Sequence, residues 1–276
     1  MSFIFNEGFI MELNYDEAYN LIIAHEVKNL SGVFDVVQKM MCIQPHPDDT
    51  DVAAGGLVAK LAERGCEITY VTMTDGCMGT LDQKIYPEML ASIRVSEEEE
   101  SAKILGVKKL IWLNCKDSEL RPTIETRSRL ITLIREFQPH LILTVDPWLT
   151  YEAHPDHIAT GILAAEAMLF AGFPHVNPRD IRAGLKPHIT PFIAFYWTRK
   201  PNVYVDITNI TNYIDVKFKA ISAHKSQFPP ERFREIENPL KTYSRLMGKK
   251  IRVMYAEAFK VLSIRHLHCC PYAEDV

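Results

Sequence analysis

Along the first 170 residues, short unbroken apolar runs alternate with longer stretches in which apolar positions recur every three or four residues. The first pattern marks a strand buried on both faces, and the second a helix with one face on a core. Val36–Ile43 reads as a strand running to Gln44, then a loop, then a helix over Gly55–Arg64 closed by Gly65 in a left-handed conformation. Glu67–Thr74 is the next strand, followed by a loop carrying Asp75-Gly76 and Gly79. A long helix is expected over Pro87–Leu105, with Pro87 suited to its first turn and Gly106 to its end. Leu110–Leu113 reads as a strand, Thr123–Phe137 as a helix, Leu141–Val145 as a strand and Pro155–Phe170 as a helix, with Asp146–Glu152 as loop. This βαβαβαβα alternation predicts an α/β fold of three layers, with helices on both faces of a mainly parallel sheet and right-handed crossovers.

The second half is less regular and predicts a smaller α+β portion. Pro174–Pro187 carries several turn signals and reads as loop. Phe192–Trp197 and Asn202–Val205 read as strands, paired antiparallel or lying at a sheet edge. Ile210–His224 and Lys241–Phe259 read as helices separated by Pro229-Pro230. There is no internal repeat and no low-complexity tract.

A chain of 276 residues with 47% hydrophobic positions can bury one large core, so residues 1–276 are expected to form a single domain. The net charge of -4 and pI near 6.2 give no basic footprint for nucleic acid or an anionic membrane. The densest charge run, Glu97–Glu100, reads as the solvated face of a helix. No segment reaches the ~18 consecutive apolar residues of a membrane span; Gly161–Phe173 is interrupted by Glu166. Met1–Glu7 lacks a basic region and a cleavage signal, so a cytoplasmic location is expected. The six cysteines include no CxxC pair, and no disulfide framework is expected.

Chemistry concentrates in two clusters. His46-Pro47-Asp48-Asp49 directly follows the first strand, and His154-Pro155-Asp156-His157 follows the fourth. In an open α/β sheet, loops at the carboxyl ends of strands converge on one ligand site. Pro155 suits the first helical position, making His154 an N-cap and placing His157 in the first turn. Two imidazoles and one carboxylate with an open position form the donor set of a catalytic zinc site, and the same set can hold Fe(II). Asp48 is then a spare carboxylate, placed to take a proton from attacking water. His154, if not a ligand, can stabilise an oxyanion when protonated, and Asp156 can orient His154 or His157.

The order of these segments resembles a known family. His46-Pro47-Asp48-Asp49 with Gly55-Gly56, Thr74-Asp75-Gly76, Arg94 before Glu97-Glu98, Ala102 with Leu105-Gly106, His154-Pro155-Asp156-His157, and later His224-Lys225-Ser226-Gln227 look like the LmbE-like (PIG-L) zinc-dependent N-acetylglucosamine deacetylases. Cys42-Ile43-Gln44-Pro45, Asp146-Pro147-Trp148 and His268-Cys269-Cys270-Pro271 most resemble the archaeal diacetylchitobiose deacetylases within it. The resemblance implies a Rossmann-like fold and hydrolysis of an N-acetyl group, with N,N'-diacetylchitobiose as the expected substrate; the alternatives are another N-acetylglucosamine conjugate, or a sugar-binding protein of the same fold without turnover. It also implies one Zn2+ per subunit, held by His46, Asp49 and His157, with Asp48 as base and then acid and His154 as oxyanion donor. Arg94 and Asp117 fall where the family holds sugar, and Trp148 and Tyr151 are candidate sugar contacts in the loop leading into the second cluster, the Trp face being a platform for a pyranose ring. For Arg94 a surface ion pair with a nearby Glu is the alternative, and for Tyr151 a packed loop aromatic. The resemblance further implies a homo-oligomer, a hexamer, in which His268 approaches a neighbour's site, the alternative being an exposed tail residue. His224 is expected to pack at a helix end, and His140 to be structural.

Overall fold

The computed structural model describes residues 15–208 and 212–276. Met1–Glu7, read above for a leader, and Ile210, read as a helix start, lie outside them. Two helices, α1 (Tyr15–Leu30) and the short α2 (Val33–Val36), precede β1 (Lys39–Gln44). Then follow α3 (Asp49–Glu63), β2 (Glu67–Thr74), α4 (Pro87–Leu105), β3 (Lys109–Cys115), α5 (Ile124–Phe137), β4 (Leu141–Val145) and α6 (Pro155–Ala171). The later elements are α7 (Pro178–Arg182), β5 (Phe192–Tyr196), β6 (Val203–Asp206), α8 (Tyr213–Ile221), α9 (Phe233–Ile251), β7 (Ala256–Ser263) and a 3-10 turn at Ile264–Leu267.

The strands lie side by side in the order β3-β2-β1-β4-β5-β7-β6. β1 to β5 run parallel, while β7 is antiparallel to both β5 and β6. Helices α3, α4 and α8 pack together on one side, and α5 and α6 pair on another, completing the layered α/β/α arrangement. Met40–Ile43, Leu141–Leu143 and Ile193–Ala194 are fully buried, as the unbroken apolar runs of central strands require. Gly65 and Gly106 take the expected left-handed φ values of 86° and 81° after their helices.

Several boundaries depart from expectation. The stretch 241–259 is not one helix: α9 ends at Ile251, Arg252 caps it in the left-handed region, and Ala256–Ser263 is a strand. β7 therefore separates β5 from β6, which are not paired with each other. Glu257 disguises this strand: it is 3% exposed, yet ion-paired to Lys217 at 2.7 Å. It also accepts the backbone N–H groups of Gly56 and Leu57, tying β7 to α3. The expected loop at 174–187 contains α7, docked by Asp180 onto the buried Arg135 at 3.0 Å. Val36 belongs to α2 rather than to the first strand, and α3 starts at Asp49, six residues before Gly55.

One glycine sets how closely α6 approaches the end of β4. A Cβ on Gly161 would stand 2.6 Å from the Val145 carbonyl oxygen and 2.7 Å from Pro147 Cδ. Neither group can move without displacing the loop that leads to His154. Gly161→Ala is expected to destabilise the fold by about 1–3 kcal/mol, read as a lower Cm in urea at unchanged m.

Candidate active site

The chain runs outward from β1 to β2 and β3, then returns to β4 on the other side of β1. The carboxyl ends of β1 and β4 therefore flank a topological switch point, where open α/β sheets form their binding crevice. His46–Asp48 link β1 to α3, and Asp146–His154 link β4 to α6. His154 is the N-cap of α6, its Nδ1 accepting the Asp156 N–H at 3.3 Å, and Pro155 occupies the first turn as expected.

The two sequence clusters meet. His46 Nδ1 lies 3.2 Å from Asp49 Oδ2, which lies 3.6 Å from His157 Nε2. Four-coordinate zinc, with bonds of about 2.0–2.1 Å, spaces its ligand atoms about 3.3 Å apart. The donor types and separations fit such an ion. A second group, His46, Asp117, His154 and Asp156, shares the first imidazole. It suits a metal less well, because Asp156 is fully buried and already accepts the backbone N–H groups of Ser118 and Leu120. Asp156 Oδ2 also lies 3.2 Å from His46 Nε2, and Asp117 Oδ1 lies 3.3 Å from it. The carboxylates thus fix the far nitrogen of His46 and leave Nδ1 for a metal, an arrangement that raises ligand basicity. Asp156 orients His46, where either His154 or His157 was expected.

Burial opposes charge on His46, but hydrogen bonding to Asp117, Asp156 and Asp49 outweighs it and raises its pKa well above the ordinary value. Burial likewise opposes charge on Asp117 and Asp49, yet their contacts with His46 hold both below the usual carboxylate value. This crowd of anionic groups suits a bound cation.

Asp48 has a positive φ of 109° and is 8% exposed. Burial pushes its carboxyl up to about 6, against the Arg94 guanidinium 3.2 Å away. Arg94 is itself buried and donates to the Pro47 carbonyl at 2.6 Å and the Gly76 carbonyl at 3.0 Å. It is not a surface residue paired with a neighbouring Glu. His46, Asp48, Arg94, Asp117 and His154 line a cavity of about 230 Å³, together with Met78, Gly79, Ser118 and Gln227. Burial and the nearby His46 and His157 lower the His154 pKa. With Nδ1 accepting the Asp156 N–H, Nε2 is the ring nitrogen left to carry a proton.

The remaining candidates lie elsewhere. Trp148 is 59% exposed, meets Phe195 edge-on at 5.6 Å, and lines a separate cavity of about 680 Å³. Tyr151 is almost fully exposed and has a φ of 72°, so it is not a packed loop aromatic. His268 is exposed on the C-terminal segment beside Cys269 and does not line the smaller cavity. His140 is structural as expected, accepting the Gln38 N–H, and the six cysteines are free.

Some partners escaped the sequence reading. Glu152 accepts the His154 N–H at 2.8 Å and places its other oxygen 3.3 Å from His157 Nδ1. Trp197 stacks on His157 with ring centroids 5.5 Å apart. Their one sequence signal is position, in loops at carboxyl ends of strands. Glu98 is not on a solvated face but 1% exposed, accepting from Thr72 Oγ1 at 2.7 Å and Gln44 Nε2 at 2.8 Å. Gln44 in turn accepts the Thr50 N–H, so this contact braces the start of α3.

Burial pushes Glu98 from its ordinary 4.5 up to about 8, with the Thr72 hydrogen bond opposing the rise. A raised folded-state value means that its contribution is complete below the unfolded value and is lost as pH rises through the folded one. Glu98→Gln is therefore expected to flatten the fall in Tm between about pH 5 and pH 9, measured by calorimetry on both proteins.

Comparison with known proteins bears on this geometry. A family model described as GlcNAc-PI de-N-acetylase (PIG-L) matches residues 41–168, which include both clusters. The chain is 41% identical to the diacetylchitobiose deacetylase of Thermococcus kodakarensis over 95% of this chain and 97% of that one. It is 28% identical to a probable N-acetyl-alpha-D-glucosaminyl L-malate deacetylase 2 of Bacillus anthracis, over 68% of this chain and 81% of that one. Its fold superposes with a TM-score of 0.88 on the N,N'-diacetylchitobiose deacetylase of Pyrococcus horikoshii, 41% identical, covering 96% of this chain and 98% of that one. Likeness of this extent along nearly the whole chain, with both histidine–aspartate clusters inside the matched region, makes this protein a member of the PIG-L (LmbE-like) deacetylase family.

Proposed function

We propose that the protein removes an acetyl group from N,N'-diacetylchitobiose, releasing acetate and leaving a free amine on the sugar, a step in chitooligosaccharide breakdown. The observation that carries this reading is the meeting of His46, Asp49 and His157 beside Asp48, a carboxylate outside that set, with His46 and Asp48 at the wall of a polar cavity. In this reading those three residues hold one Zn2+ per subunit. A zinc ion there supplies Lewis acidity, polarising the acetamide carbonyl and making water a stronger nucleophile. Asp48 takes a proton from the water as its oxygen bonds to the carbonyl carbon. His154 donates its Nε2–H to the oxyanion that develops on the carbonyl oxygen. Asp48 then passes the proton to the amine nitrogen as the C–N bond breaks, which balances the reaction. Arg94 keeps Asp48 in place, and Arg94 and Asp117 lie along the wall where sugar hydroxyls would sit.

The similarity to the diacetylchitobiose deacetylases supports the substrate. A second reading, another N-acetylglucosamine conjugate, has support from the similarity to the malate-conjugate enzyme. A cytoplasmic location is part of the proposal; among the described residues no helix is long and apolar enough to cross a membrane. So is a homo-hexamer in which His268 approaches a neighbour's site, with Trp148 and Tyr151, on the loop leading to His154, as sugar contacts. A panel of N,N'-diacetylchitobiose, N-acetylglucosamine and N-acetylglucosaminyl malate separates the readings. Highest kcat/KM on the disaccharide supports the first, and highest kcat/KM on the malate conjugate replaces it with the second.

A further inference from the structure

Behind the start of α3 lies a buried group that touches neither the cavity nor the proposed metal ligands. Asp51 is 1% exposed, and its carboxylate takes hydrogen bonds from three separate parts of the chain. Tyr70 of β2 donates to Oδ1 at 2.9 Å, while Ser101 of α4 donates to Oδ2. His224, in the segment after α8, donates from Nε2 to Oδ2 at 2.8 Å. Tyr70, Ser101 and His224 are all fully buried. His224 does not simply pack at a helix end, as expected from sequence. The segment it begins is pinned again by Ser226, whose N–H and hydroxyl both donate to Glu97 at 2.7 Å.

This group matters because of the turn it holds. Asp48 sits in a left-handed conformation that is strained for a non-glycine residue and persists only where its surroundings enforce it. The turn closes through the Val52 N–H to the Asp48 carbonyl at 2.9 Å. On one side, Gln44 holds the Thr50 N–H. On the other, Asp51 is held by Tyr70, Ser101 and His224. A buried ionic cluster is weak evidence for stability, since apolar replacements of similar volume are often as stable.

We infer that Asp51 and His224 form a positioning pair whose hydrogen bond locks the first turn of α3, keeping Asp48 in its strained conformation and Asp49 beside His46 and His157. The inference rests on the proposed zinc reading of that set. Neither residue of the pair meets substrate or metal; both act through the backbone of α3.

The test compares purified parent, His224→Leu, His224→Gln and Tyr70→Phe. Zinc affinity is measured by competition with a chromogenic chelator, kcat and KM with N,N'-diacetylchitobiose, and Tm in parallel. His224→Leu removes the donor at similar volume and is expected to weaken zinc binding by about 10–100-fold and to lower kcat with KM nearly constant. His224→Gln, which keeps an N–H near the position of Nε2, is expected to recover most of both. Tyr70→Phe is expected to move zinc affinity in the same direction by less. Lowered Tm with parental zinc affinity and kcat in His224→Leu and Tyr70→Phe overturns the inference. If His224→Leu does not fold, parental zinc affinity in Tyr70→Phe overturns it equally. A parent that binds no zinc overturns the metal reading and this inference together, whereas a zinc-binding parent with indifferent variants overturns this inference alone.

Discussion

Asp48→Asn is expected to fold, to bind zinc as the parent does, and to lose about 10²–10⁴-fold in kcat. The substitution keeps the size of the side chain and an oxygen for the Arg94 guanidinium, now 3.2 Å from Oδ2. Asn also tolerates a positive φ better than most residues, so the 109° backbone is preserved. What disappears is the capacity to take and return a proton. Asp48 is not in the His46, Asp49 and His157 set, so metal content should not change. Steady-state kinetics and metal analysis on the same preparation check the prediction. Full turnover would remove Asp48 from the proton path, and lost metal would make it part of the ligand set.

The second large effect is expected from His46→Ala. His46 contacts Asp49 through Nδ1 and Asp117 and Asp156 through Nε2, and all four residues are buried. Its loss removes one metal donor and leaves three buried carboxylates without their common partner. Breaking such a buried pair costs about 3–5 kcal/mol, so the variant is expected to show a lower denaturation midpoint, to hold no zinc after dialysis and to release no acetate above background. His157→Ala is the control. It removes a metal donor but leaves the Asp117 and Asp156 contacts intact, so it should lose metal and activity with a smaller fall in stability. Equal stability losses in the two variants would contradict the role given to Asp117 and Asp156 as supports of His46.

The amino-terminal half was legible because its central strands β1 and β4 are buried on both faces and its helices carry clean start and stop residues such as Pro87 and Gly106. The carboxyl-terminal half hid β7 for two physical reasons. Glu257 and Lys260 occupy buried positions in that strand because Lys217 and C-terminal carbonyl oxygens pair with them, which breaks the apolar pattern. The helical pattern before it also runs on without a visible stop. The glycine that lets the chain fold back, Gly248, lies inside α9, where a Cβ would stand 2.6 Å from the Val253 carbonyl oxygen. At the site, the residues with distinctive spacing, His46 to Asp49 and His154 to His157, could be read directly. Apart from Asp156, the residues that hold them could not. The sequence assigns no contact to Asp51, Glu98, Glu152 or His224, and only the fold reveals which of them are buried and what each one meets.

The most direct test is acetate release from N,N'-diacetylchitobiose by metal-stripped protein, with and without one equivalent of added zinc. Stripped protein is expected to release no acetate, and added zinc to restore release in the parent but not in His157→Ala. Equal release with and without zinc, from protein shown to be metal-free, would contradict a zinc-dependent reaction.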